Sequence, residues 1–308
     1  MTVVSNLSRR RAQSQILGII PRSIGYLQGG YKDSTLQSKV QLFNTITQTG
    51  RIVYDTGYLR RYTPGLSGNF SGYFSTSDSA TFSKFSYVTS TAASSFSMLQ
   101  YPSVTASDFN IFTVGWVLCS TAVSTSAVTC DRWTRMSFTT ETPVNYGALG
   151  NAFSMTRQSA STGLGSVFVQ TNYTGLSVLN YATNTVTSNA GNSSLMNSGE
   201  AIAVGLSRND DSSIAFVGMS PFHCKVGLTG TVVNSISQLP AFTYHFSESH
   251  TVTSATDGYL MAGYSDTTGR YGGTQHALCQ KTNFSNNAIT TLPDLVLAQS
   301  SGQMMQGF

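Results

Sequence analysis

The four histidines, His223, His245, His250 and His276, all fall in the last third of the chain. His245, Glu248 and His250 form their tightest group. Imidazole and carboxylate are donors that zinc and related ions select, so this is where a transition-metal site would be sought. The separation of His245 from His250 is odd, however, and a strand would turn them to opposite faces. No metal and no cofactor are expected. The four cysteines contain no Cys-x-x-Cys pair, which removes zinc ribbons and dithiol redox motifs. Cys130, Cys224 and Cys279 each open an alternating segment of a different repeat, so they read as separated, buried small hydrophobes.

Carboxylates are few, and most sit beside Ser, Thr, Asn or Gly, where an Asx-type turn accounts for them. Asp210 and Asp211 form the one cluster, at an expected hairpin tip, with too few oxygens around them for calcium. There is no Gly-x-Ser-x-Gly elbow, phosphate loop or His-Glu-x-x-His helix, and no apposed carboxylate pair of the glycosidase kind stands out. A non-enzyme is expected; a polysaccharide-active enzyme built from distant loops is the remote alternative. Tyr58, Arg60, Arg61 and Tyr62 make the best local contact surface, because tyrosine offers a rigid apolar face with a polar tip. They read as a turn. Tyr62, Tyr101, Tyr146 and Tyr271 are further aromatic residues expected in turns.

The elements that must carry these residues follow a repeat. Gly25-Tyr26-Leu27-Gln28-Gly29-Gly30-Tyr31 and Gly258-Tyr259-Leu260-Met261-Ala262-Gly263-Tyr264 are near copies, each a short buried strand ending on small residues. Weaker copies begin at Gly72, Gly115, Ser166 and Ala215, giving a period of about 47 residues, the length of a four-stranded propeller blade. Alternating segments follow each copy, such as Lys84 to Val88 leading to Phe96 to Leu99, and Thr282 to Phe284 leading to Ile289 to Pro293. Small, Gly/Ser-rich stretches precede them, including Ser67 to Phe70 and Ala201 to Gly205, as innermost strands need. Gly302 to Phe308 reads as one more innermost strand, one period after Gly258, whose continuation is found at Gly25. The expectation is an all-β, six-bladed propeller over residues 23 to 308, closed by a blade that both termini share.

These repeats resemble the kelch type of β-propeller, whose blades carry an aromatic strand ending in a Gly-Gly pair, here Gly25 to Gly30 and, degenerately, Gly258 to Gly263. In their Ser/Thr-rich turns and low charge they are similar in style to kelch-like propellers of tailed-bacteriophage tail and fibre proteins. That resemblance implies a virion structural protein of the tail, made in the host cytoplasm, that binds other tail proteins in a multi-subunit assembly. A host surface glycan or receptor is the alternative partner.

Composition narrows the classes further. Only 10% of residues are charged and the net charge is +4, short of the basic field that nucleic-acid binding requires. Residues 1 to 22 precede the repeats and hold Arg9, Arg10 and Arg11 followed by Ile16, Leu17, Ile19 and Ile20. That apolar run is too short for a signal-peptide core or a membrane span, and the segment reads either as a partly disordered leader or as an arm that docks on a neighbouring subunit.

Overall fold

The structure is a computed structural model that describes the backbone at residues 24–32, 35–60, 65–67, 71–75, 81–97, 101–107, 114–120, 128–155, 160–163, 166–172, 175–180, 185–189, 203–208, 212–217, 223–229, 232–238, 250–254, 256–265, 274–298 and 303–307. Side chains are described at 24–30, 32, 35–57, 59, 65–67, 71–74, 81–92, 136–142, 252, 254, 256–261 and 277–298. The proposed arm, residues 1 to 22, and its Arg9, Arg10, Arg11, Ile16, Leu17, Ile19 and Ile20 lie outside the described residues.

The described chain is all β. Its strands are β1 (Ile24–Gln28), β2 (Tyr31–Lys32), β3 (Thr35–Asn44), β4 (Thr49–Arg60), β5 (Gly65–Ser67), β6 (Ser71–Ser75), β7 (Thr81–Ser86) and β8 (Thr91–Ser97). There follow β9 (Tyr101–Ser107), β10 (Val114–Ser120), β11 (Val128–Ser137), β12 (Thr142–Met155), β13 (Ala160–Gly163), β14 (Ser166–Asn172), β15 (Gly175–Asn180) and β16 (Thr185–Asn189). The last are β17 (Ala203–Arg208), β18 (Ser212–Val217), β19 (His223–Thr229), β20 (Val232–Gln238), β21 (His250–Thr253), β22 (Asp257–Ser265), β23 (Thr274–Asn283), β24 (Ile289–Leu292) and β25 (Gln303–Gly307).

These strands form six antiparallel sheets among the described residues. Five are meanders of four consecutive strands, β5 to β8, β9 to β12, β13 to β16, β17 to β20 and β21 to β24. The sixth draws on both ends of the chain: β25 pairs with β1, β1 with β3 and β3 with β4. The register runs from Ile24 opposite Gly307 to Gln28 opposite Gln303. The first strands of the sheets touch in the order β25, β5, β9, β13, β17, β21, and β21 also touches β25.

Every repeat start read from the sequence falls on the second strand of a sheet, namely β1, β6, β10, β14, β18 and β22. The copy expected at Ala215 is displaced by two residues. Thr253 pairs with Gly258 and Arg208 with Ser213, so Ser213-Ile214 occupies the place of Gly258-Tyr259. The aromatic Phe216 drew the sequence alignment out of register. Two expected strands also end early, for β7 stops at Ser86 and β23 at Asn283, leaving Tyr87, Val88 and Phe284 in turns.

The core lies between the sheets, because successive strand residues face opposite neighbours. On β1, Tyr26 packs with Val40, Leu42, Phe74 and Phe85, while Leu27 packs with Phe43, Val252, Tyr259 and Met261 on the other side. On β6, Phe74 faces back toward the first group and Tyr73 forward to Leu66, Phe82 and Met136. Inner strands covered on both faces must be apolar at consecutive positions, which explains runs such as Tyr26-Leu27 and Tyr73-Phe74. Each such side chain, fully buried, contributes about 1.5–3 kcal/mol. Gly25 allows a tight approach, since a Cβ there would lie 2.3 Å from Cγ2 of Val252.

One turn recurs between the third and fourth strands of the sheets. Residues 45–48, 87–90, 138–141 and 284–287 each form a four-residue loop whose last residue is left-handed, with φ of 56° at Gln48, 53° at Ser90, 53° at Glu141 and 59° at Asn287. The residue before each loop is Asn or Ser and caps it. Asn44 Oδ1 accepts from the Ile46 and Thr47 amides at 2.8 and 3.1 Å, and Asn283 Oδ1 from Ser285 and Asn286 at 3.0 and 3.2 Å. Ser86 and Ser137 hydroxyls accept from Thr89 and Thr140 in the same way. Such local bonds satisfy amides that would otherwise be left free in the loop, and they end the strand.

Candidate functional site

The groups with chemical potential on the described residues gather where a tyrosine of one sheet meets that turn in the next. Tyr26, Tyr73 and Tyr259 pair across their sheets with Leu42, Lys84 and Lys281, in each case two residues before the Asn or Ser that caps the local turn. This shared register brings each hydroxyl to the left-handed residue of the following sheet's turn. Tyr73 donates to Glu141 Oε1 at 3.2 Å. The Tyr26 hydroxyl lies beside Ser90 and the Tyr259 hydroxyl beside Gln48 and Ser254, and Tyr259 donates to the Thr45 carbonyl at 3.2 Å.

Where the turn opens with an aromatic residue, the rings add to the contact. Tyr26 stacks on Tyr87 with centroids 4.9 Å apart, and Tyr73 on Phe138 at 5.0 Å. The third turn opens with Thr45, and there the tyrosine bonds to main chain instead.

Tyr73, Glu141 and Lys84 make a polar group between two sheets, with Lys84 Nζ paired to Glu141 Oε1 at 2.5 Å. A tyrosine beside a glutamate is a combination capable of nucleophilic chemistry, provided that the phenol ionises easily. Here burial first, and then the negative Glu141, push the Tyr73 phenol well above its ordinary value. It stays protonated and acts as a donor. Burial likewise raises the Cys279 thiol, and the negative Asp294 adds to the shift, so this cysteine is inert packing.

The expected contact residues lie elsewhere. Tyr58 and Arg60 fall on β4, a long strand and not a turn, because pairing with β3 continues to Arg60 opposite Gln37. Arg61 and Tyr62 lie outside the described residues. Just before them the β3 and β4 register shifts, and Asp55 gathers the Lys39 ammonium, the Ser38 hydroxyl and, at 3.0 Å, the Gly57 amide. Those bonds, Lys39 foremost, hold its carboxyl well below the usual carboxylate range. Leu59, between the two proposed contact residues, is 55% exposed. Of the other aromatic residues expected in turns, Tyr101 opens β9 and Tyr146 lies inside β12, while Tyr62 and Tyr271 lie outside the described residues.

His223, His250 and His276 sit on β19, β21 and β23, and His245 and Glu248 lie outside the described residues, as do Asp210 and Asp211. Among the described residues no group of three or more His, Cys, Asp or Glu is placed to hold a metal ion, and no helix is long and apolar enough to cross a membrane.

Reading the sequence for Gly-aromatic strands missed the turns, although they leave a signal. Asn44-Thr45-Ile46-Thr47-Gln48-Thr49, Ser86-Tyr87-Val88-Thr89-Ser90-Thr91, Ser137-Phe138-Thr139-Thr140-Glu141-Thr142 and Asn283-Phe284-Ser285-Asn286-Asn287-Ala288 share one pattern. Asn180-Tyr181-Ala182-Thr183-Asn184-Thr185 carries it too.

No family model matches the chain, and no curated protein matches it in sequence. A solved structure described as "Crystal structure of Nidogen/Laminin Complex" matches its fold with a TM-score of 0.60, covering 92% of this chain and 98% of that one. The fold is β-propeller-like. At 9% identity the likeness extends to the fold alone. A propeller-like arrangement accounts for the inter-sheet tyrosines, since adjacent sheets must be fixed at a constant angle around a common axis.

Proposed function

We propose that the six sheets are the blades of a closed, kelch-like six-bladed propeller that serves as a non-enzymatic protein-binding scaffold, a structural component of a tailed-phage virion. The pairing of β25 with β1 and the cyclic contacts of the first strands support the ring. Closure through β25 and β1 ties the two chain ends into one sheet and makes the disc rigid, which suits a part that must hold partners at fixed geometry.

The observation that carries the binding reading is a set of exposed apolar side chains around one outer edge. Ile46 at a turn tip is 77% exposed, Ile52 on β4 44%, and Val296 58%. Ile46 and Ile52 flank Gly50 in the chain, and Leu295, which packs on Gly50, is followed directly by Val296. Val88 repeats the Ile46 position on the next sheet at 80%. Apolar residues clustered on a rigid rim mark a protein contact more readily than isolated ones do. The structural neighbour is, by its description, part of a complex between two proteins, which agrees with this use of the fold.

The test is to purify particles from infected cells and quantify this chain by mass spectrometry, comparing wild type with Ile46→Ser/Val88→Ser. Stoichiometric incorporation of the wild type, reduced at least about tenfold in the double variant, is expected. Absence of the chain from particles would overturn the virion setting. Equal incorporation of a folded variant would overturn the rim as the contact.

A further inference from the structure

The segment between β24 and β25 crosses from one sheet to the next and is held at three points. The Leu295 amide donates to the Ala277 carbonyl at 2.7 Å, on its own sheet. The Leu295 side chain, 4% exposed, then lies on the neighbouring sheet at Gly50, where a Cβ would come within 3.2 Å of its Cδ2. Two residues on, the Gln41 side chain grips Leu297 by both its amide and its carbonyl. Gln41 Nε2 donates to the Leu297 carbonyl at 2.9 Å, and the Leu297 amide donates to Gln41 Oε1 at 3.1 Å. Gln41 is fully buried. An amide with both polar atoms engaged on main chain is a positional clamp, and it sits on β3, the strand that also pairs with β1.

We propose that residues 293–298 are a lock that keeps β25 on the β1 of its own chain, and that releasing it lets β25 exchange with a second copy. This rests on the closed-ring reading above. Five residues separate Leu297 from Gln303, a reach of about 20 Å. With Leu297 clamped, β25 cannot travel to another copy, and its effective concentration at its own β1 is high. β25 is only five residues long and joins the sheet through β1 alone. Without the clamp, the same register, from Ile24 opposite Gly307 to Gln28 opposite Gln303, is open to the strand of any copy. Strand exchange needs no new contact, only loss of the tether.

The test uses the full chain carrying Ile24→Cys and Gly307→Cys, paired positions whose spacing suits a disulfide. In this background the oxidised protein is expected to cross-link within one chain and remain monomeric. No intrachain cross-link would overturn the ring, and the lock with it. Gln41→Leu, which removes both hydrogen bonds, and Gly50→Val, which pushes Leu295 outward, are then expected to raise the interchain cross-linked fraction about tenfold, in proportion to concentration. Folded variants that still cross-link only within the chain would overturn the lock and leave the ring standing. Failure of both to fold would also overturn it, because a lock for one strand is dispensable to the other five sheets.

Discussion

Tyr26 lies face to face on Tyr87 of the next sheet, ring centroids 4.9 Å apart and planes within 10°. Tyr73 and Phe138 repeat the arrangement one sheet further, at 5.0 Å and 10°. The strand supplies a tyrosine and the neighbour's turn supplies a ring, so the contact fixes the angle between sheets as well as burying area. Stacked pairs add about 0.5–1.5 kcal/mol beyond burial.

Removing ring and hydroxyl separately should resolve the two contributions. Tyr73→Phe loses the bond to Glu141, which keeps its Lys84 partner, and is expected to cost about 1 kcal/mol. Tyr73→Ala also empties a buried ring site and is expected to cost about 3–5 kcal/mol. Urea unfolding of the two variants checks this, and equal costs would deny the ring its role.

The same tyrosines predict an alkaline limit. Tyr26, Tyr73 and Tyr259 are all raised above 10.0, chiefly by burial. A raised folded value means that their contribution is complete below pH 10 and is lost as pH climbs through the folded values. Stability should therefore fall above about pH 10, and these phenols should ionise only as the protein opens. Phenolate absorbance followed beside circular dichroism tests it; three phenols titrating in a fully folded protein would refute it.

The left-handed turn residues should respond in opposite directions to glycine. Glu141→Gly removes the partner of both Tyr73 and Lys84 and is expected to cost about 1–3 kcal/mol. At Asn287 the side-chain Oδ1 is buried without a partner, and the φ of 59° suits glycine. Ile214, in the tyrosine's place on the preceding sheet, has no hydroxyl to offer. Asn287→Gly is expected to be neutral or to stabilise by up to about 1 kcal/mol. Thermal unfolding of the pair would decide, and a loss at Asn287 as large as that at Glu141 would refute the contrast between the two turns.

Gly25 and Val252 should be coupled. Gly25→Ala places a Cβ against Val252 and is expected to cost about 1–3 kcal/mol. Val252→Ala in the same chain should recover part of that loss. A double-mutant cycle with no interaction energy would show that the two strands separate freely.

Much of the fold was legible because its signals are local. Gly25-Tyr26 and Gly258-Tyr259 mark equivalent strands in the sequence because a close strand approach needs glycine and a core between sheets needs a large ring. The recurring Asn or Ser caps are local as well, and were there to be found. The copy near Ala215 was misplaced by two residues, since hydrophobic pattern alone cannot fix a register that pairing with β17 decides. From the sequence Tyr58 and Arg60 read as a turn, whereas β3 pairing carries the strand past Gly57, which is left-handed at φ 72°.

By itself, the sequence determined the all-β class, the period and the stretch of chain in which each second strand lies, because these depend on spacing along the chain. Tertiary structure alone decided that Tyr73 finds Glu141, that Gln41 grips Leu297, and that Asp55 is held by Lys39. Each of those pairs joins different strands or sheets. The choice depends on register and on the angle between neighbours, which no local pattern encodes.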